Sequence, residues 1–194
     1  MTTISDQEAQ ALGFDSSRLE RVRERILGDI EQGRCHGANL LVARRGEVIL
    51  DITEGYADRA ENKALQRDSV FSTMSVAKQF TNVLALSLVE RGLLSLHAPV
   101  AELIPEFANL GKEKVNLYHL LTHTSGIMSA IPPVAPEVLM NIENLLEYAC
   151  TLPLESQPGE RVNYSILLGH SIIAALCSRA GGASGGAAGR PSRG

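Results

Sequence analysis

The sequence predicts an α/β (α+β) fold in which one helix and a β-hairpin precede a mainly helical region. Three observations carry this reading. Leu19, Val22, Ile26 and Ile30 recur at helical spacing among charged residues. Two β-rich runs in GANLLVARRGEVILDITEG are separated by Arg45-Gly46. From about residue 75 onward, apolar residues fall in helical patterns punctuated by Pro and Gly.

The first element is an amphipathic helix, and Ser17 with Glu20 has the form of a capping box at its start. The following hairpin needs the permissive φ of Gly46 in its tight turn. Two strands are not stable alone in water, so the hairpin must join a larger sheet or pack on the helix. After the polar stretch YADRAENKALQRD comes VFSTM, then a helix over about 75–91. Val76, Phe80, Val83, Leu84 and Ser87 define its largely apolar face, and Gly92 is placed as its C-terminal cap. In KVNLYHLLTHTSGI, Asn116 can cap a short helix that Ser125-Gly126 ends. A further helix is predicted over about 136–151, and PGERVNYS is a turn into the apolar, helical stretch ILLGHSIIAALC.

The chain has 194 residues, the size of one domain, and its 44% apolar content suffices for a core. The expected organisation is one domain over 1–180 and a Gly/Ala/Ser/Arg-rich disordered tail over 181–194, whose composition offers almost nothing to bury. A net charge of −4 without a basic run argues against nucleic-acid partners, which require clustered Lys and Arg. Cys35, Cys150 and Cys177 show no C-x-x-C spacing and are expected to be buried small hydrophobes. The N-terminus lacks the apolar run of a secretory signal, and the stretch 166–177 is too short and too interrupted to span a membrane. A soluble, cytoplasmic protein is therefore expected, with its oligomeric state open.

The chemistry concentrates at FSTMSVAKQF. Ser75 and Lys78 lie three residues apart on a helix, so their side chains project from one face and the amine can reach the hydroxyl. A lysine with the ordinary pKa of about 10.4 is a poor base at neutral pH, but burial and the positive end of a helix both disfavour the ammonium. The first turn of an apolar helix meets that requirement, and Ser75 there could use its own N–H as a donor to a tetrahedral oxyanion. A chain of this length contains roughly one S-x-x-K by chance. Here the pair is the only one in the sequence, and it opens the most apolar helix.

FSTMSVAKQFTNVLALSLVERGLLSLHAPVAELIPEF, followed by LYHLLTHTSGI and PGERVNYS, resembles the beta-lactamase-related serine hydrolases: class C beta-lactamases, D-alanyl-D-alanine carboxypeptidases and family VIII esterases. The resemblance covers about 37–177 in the family's order. It implies a beta-lactamase/transpeptidase-like fold in which Ser75 is the acylated nucleophile, Lys78 its proton acceptor and Tyr164 a tyrosine that shares the base role. An adjacent ammonium favours phenolate, so Lys78 and Tyr164 would act as a coupled pair. No cofactor is implied, and the partner is a small-molecule ester or amide substrate. A small carboxylic ester is favoured over a beta-lactam, because Ile166 stands where the family's motif has asparagine. No K-T-G, H-x-G or W-x-G motif follows Tyr164, and family members are about twice this long. The expectation is a C-terminally truncated serine hydrolase, and the alternative is a catalytically impaired or inactive fragment that acts at most as a ligand-binding relic. Losing one oxyanion donor alone typically costs about 100- to 1000-fold in rate.

Other candidates are weaker. Gly169-His170-Ser171 begins like a nucleophile elbow but lacks its second glycine, so Ser171 is assigned to a core helix. His119 and His123 have the i, i+4 spacing of zinc ligands without the H-E-x-x-H glutamate. One or both are expected to satisfy local hydrogen bonds at the end of the short helix, and Ser125-Gly126 to form a turn.

Overall fold

The computed structural model of the chain describes residues 2, 3 and 5–186. The chain divides into two units, Met1–Ser72 and Thr73–Gly194. Every element follows from local chemistry that is partly visible in the sequence.

In the first unit, strand β1 (Thr2–Thr3) is followed by helices α1 (Asp6–Ala11) and α2 (Ser16–Glu31), then strands β2 (Gly37–Arg44), β3 (Glu47–Asp58) and β4 (Lys63–Ala64). The capping box belongs to α1, not α2: the Ser5 hydroxyl accepts from Glu8 N–H while the Glu8 carboxylate accepts from Ser5 N–H. Asp15 caps α2 instead, accepting from the amides of Ser17 and Arg18. Ser17 donates its hydroxyl to that same carboxylate rather than capping. A carboxylate outcompetes a hydroxyl here because it accepts several amides and favours the positive helix end.

β2 and β3 form the expected hairpin, with Arg44 opposite Glu47 across a turn in which Arg45 and Gly46 both have positive φ, 54° and 85°. That geometry matches the strands' twist and explains the glycine. β3 is central, antiparallel to β2 and to β1, and β4 pairs with its far end. Ile49, Leu50 and Ile52 of β3 pack with Leu19 of α2 and Ala9 of α1 into one apolar cluster, which supplies the support a hairpin lacks alone. Asp51 is buried in the same strand and is neutralised by an ion pair with Arg67.

The second unit is helical. A single 3₁₀ turn (Met74–Val76) leads into α3 (Ala77–Glu90), followed by α4 (Leu117–Leu121), α5 (Pro136–Leu139), α6 (Ile142–Thr151) and α7 (Leu168–Gly186). Gly92 follows α3 with φ 70°, and the Asn116 side chain accepts from His119 N–H to start α4, both as expected. The helix expected over 136–151 is two helices. The Asn141 side chain accepts from the amides of Glu143 and Asn144, so it caps a new helix rather than continuing the old one. α7 runs past Ala180 through Gly186, into the region expected to be a disordered tail; residues 187–194 lie outside the described residues.

The face of α3 is the main correction. Phe80, Val83 and Leu84 are 72%, 67% and 53% exposed, and Val76 is exposed as well. The helix instead buries Ala85 and Leu88, on the stripe that also carries the half-buried Lys78 and Asn82. α3 is apolar nearly all round, so periodicity does not select which side packs; the small Ala85 does, by letting α7 approach. Around it Val100, Ile104, Phe107, Leu117, Leu120, Leu146, Ile172 and Ile173 form the core. Cys150 and Cys177 are buried in this core as expected, whereas Cys35 is only half-buried. Lys112 is fully buried and donates to the carbonyls of Cys150 and Leu152, capping the end of α6.

Two loops without regular structure are joined backbone to backbone. Gly126 O accepts from Glu155 N–H at 2.8 Å, Thr124 O from Gly159 N–H at 2.8 Å, His123 O from Asn163 N–H at 2.7 Å and Ser129 O from Ile166 N–H at 3.2 Å. Gly126 sits in this seam with φ 75°, and a Cβ there would meet the backbone oxygen of Ser156. Only glycine fits.

Candidate active site

Ser75 lies in the 3₁₀ turn and its hydroxyl is exposed. Met74 before it has φ 44°, a left-handed conformation that costs a non-glycine residue about 1–3 kcal/mol. Lys78 follows in the first turn of α3, and its Nζ donates to Ser75 Oγ at 3.2 Å. Tyr164 comes from the end of the 155–166 loop, and its hydroxyl donates to the same Oγ at 3.0 Å. Lys78 Nζ also stands 5.4 Å from the centroid of the Tyr164 ring. The three residues singled out from the sequence therefore meet at one atom, though Tyr164 is 89 positions from Ser75.

The tyrosine is held from below by the backbone. Asn163 is anchored to His123 O, and Ser165 Oγ donates to Met128 O at 3.0 Å while accepting from Gly169 N–H. Its phenol is shifted below the ordinary value of 10, first by the hydrogen bond with Ser75, then by that with Lys78 and by the ammonium's charge. The arrangement can move a proton: once Tyr164 is ionised, Ser75 donates to the phenolate, and the ammonium steadies the charge.

Val76, Gln79, Asn82, His123 and His170 line the same cleft, and sequence reasoning assigned none of them to it. His123 follows α4 in a left-handed conformation, φ 56°, and is not on one helix face with His119. Its ring meets Tyr164 at 4.6 Å and His170 at 5.5 Å between centroids, both tilted, while His119 makes the local hydrogen bond, to the backbone of Lys114. His170 Nε2 is 3.0 Å from Asn82 Oδ1. Burial, then the neighbouring His123 and Lys78, lower its pKa to about 4. The sequence signal for His170 was a titratable residue interrupting an apolar run.

The remaining candidates behave structurally. Ser171 donates to Leu167 O within the start of α7, which leaves it no role as a nucleophile. His119 packs edge-on to Tyr118, and burial lowers its pKa. Ser125 is buried in the turn. Among the described residues no cluster of three His, Cys, Asp or Glu could hold a metal, and no helix is long and apolar enough to cross a membrane.

The beta-lactamase family model matches residues 19–186, which include all of these site residues. The chain belongs to the beta-lactamase family. Its fold is the beta-lactamase/transpeptidase-like one, combining helices with a small antiparallel sheet. Esterase EstB of Burkholderia gladioli is 32% identical over 198 aligned positions, covering 93% of this chain and 50% of the esterase. The solved structure of EstCE1, a hydrolase with promiscuous acyltransferase activity, is similar at a TM-score of 0.76, with 26% identity over 90% of this chain and 48% of that one. A family VIII carboxylesterase structure gives a TM-score of 0.73 at 26% identity, over 85% and 45% of the two chains. The chain thus spans about half the length of the relatives it matches. The esterase and beta-lactamase-like hydrolases are its relatives.

Proposed function

We propose that this chain carries the nucleophile and base of a serine hydrolase that forms an acyl-enzyme on Ser75 and acts on small carboxylic esters. The observation that carries this is the convergence of Tyr164 OH and Lys78 Nζ on Ser75 Oγ, at 3.0 and 3.2 Å. Lys78 and Tyr164 together serve as the base. The pair takes the serine proton as Oγ bonds to the acyl carbon, and returns it to the departing alcohol as the ester C–O bond breaks. Water then attacks the acyl carbon and gives its proton to the pair. The Oγ–acyl bond breaks, the carboxylic acid leaves and Ser75 recovers its proton. The esterase names of the relatives support an ester over a beta-lactam or a D-amino-acid peptide.

The test is incubation with p-nitrophenyl acetate and with a fluorescent penicillin, each followed by intact mass. The expected result is an acetyl adduct on Ser75 that Ser75→Ala abolishes. Turnover surviving Ser75→Ala rejects the nucleophile, and absence of any adduct leaves a fold that at most binds ligands.

A further inference from the structure

Three of the residues that the sequence did not place in the site form a connected file. Asn82 lies one turn beyond Lys78 on the packed stripe of α3. Its Oδ1 is 3.0 Å from Nε2 of His170, which begins α7 and is only 9% exposed. An amide oxygen only accepts, so Nε2 carries the proton. Nδ1 of the same ring is buried without a hydrogen-bond partner among the described residues. The His170 ring cannot turn over without breaking the bond to Asn82, and it forms a fixed wall. His123 rests on that wall, its centroid 5.5 Å away, and Tyr164 rests on His123 at 4.6 Å. Asn82 and Lys78 share one rigid helix, so the file closes a loop. The element that presents the ammonium to the tyrosine also anchors the imidazoles behind it.

We propose that His170, fastened by Asn82, is a positioning residue that acts through His123 to hold the Tyr164 hydroxyl on Ser75 and beside Lys78. This rests on the assignment of Tyr164 to the proton-transfer pair. The groups facing His170 are Lys78 and Asn82 on α3, His123 after α4 and Tyr164 before α7. A neutral ring is the form that fits among them: burial, His123 and Lys78 all oppose its protonation. Asn82 serves where an aspartate would not, because an amide orients the ring without drawing a second proton onto it.

The test uses His170→Phe and Asn82→Ala, which cut the same hydrogen bond from opposite ends, and the double variant. Two quantities are read in the full chain. The titration of Tyr164 is followed by NMR with [13Cζ]-tyrosine and assigned by Tyr164→Phe. Acylation of Ser75 by p-nitrophenyl acetate is followed by intact mass. Each single variant is expected to raise the Tyr164 midpoint toward that of a free phenol and to slow acylation by roughly 10- to 100-fold. The double variant is expected to be no worse than the poorer single one, as for two ends of one interaction. An unchanged Tyr164 midpoint in folded Asn82→Ala overturns the proposal. That variant decides the matter even where His170→Phe does not fold, because Asn82 is half-buried rather than in the core. A wild-type chain that gives no Ser75 adduct, yet whose Tyr164 midpoint moves in both variants, overturns the hydrolase reading and supports the positioning role.

Discussion

Acidification from pH 7 to pH 5 is expected to remove about 2 kcal/mol of folding stability through His170. The ring titrates near 6.5 when exposed and at about 4 in the folded chain, because burial and the charges of His123 and Lys78 oppose its protonation. The unfolded chain therefore binds this proton at a pH where the native state refuses it. The native state keeps its full stability above 6.5 and loses it as pH falls toward 4. Each pH unit inside that window is worth about 1.4 kcal/mol, and the curvature near its upper edge reduces the total by pH 5 to the figure given. For a chain of this size the thermal midpoint should fall by about 4–8 °C. The assay is thermal unfolding at closely spaced pH values for the wild type and for His170→Phe. The variant lacks the titrating ring, so its midpoint should fall by less over the same interval, while His119 and His123, which burial also holds low, remain in both proteins. The carboxylates held low by hydrogen bonds, Glu8, Asp15, Asp29 and Glu106, are present in both proteins and cancel in the comparison. Equal losses in wild type and variant would refute the assignment of a neutral, buried His170.

Other perturbations give separate readings. Tyr164→Phe deletes the hydroxyl 3.0 Å from Ser75 Oγ and is expected to slow acylation roughly 10²- to 10⁴-fold without unfolding the chain, as followed by intact mass and far-UV circular dichroism. In the wild type the acylation rate should rise with pH through the Tyr164 midpoint, which lies below 10; Lys78→Ala removes causes of that lowering, so the limb should move to higher pH. Phe107→Ala empties a fully buried site and should cost about 3–5 kcal/mol in urea unfolding. Gly126→Ala forces a side chain into φ 75° against Ser156 and should lower the thermal midpoint while leaving the chain's charge untouched.

How far the sequence could be read depended on whether the determining interaction was local. The Arg45-Gly46 hairpin and the Asn116 cap were legible because each is decided within a few residues. The cap of α2 was missed because Asp15 competed with Ser17, and that of α6 because a helical pattern running through 136–151 hid Asn141 inside it. Ser75, Lys78 and Tyr164 were named from motif blocks, but no spacing could show Tyr164 reaching Ser75. His123, His170 and Asn82 escaped because rings stack through tertiary contact. The packed stripe of α3 escaped because Phe80, Val83 and Leu84 offered as good an apolar side as Ala85 and Leu88.

The seam between residues 123–129 and 155–166 is made chiefly of amides and carbonyls. Such bonds are indifferent to side-chain identity wherever φ permits. Side chains matter to the seam at a limited set of places: Gly126, the Ser165 anchor, His123 against Tyr164, the buried Ser125 and Ile127, and the Glu155 carboxylate that accepts from Ser129 and Asn163. A substitution at the exposed Val162 is therefore expected to leave the backbone bonds that carry Tyr164 intact.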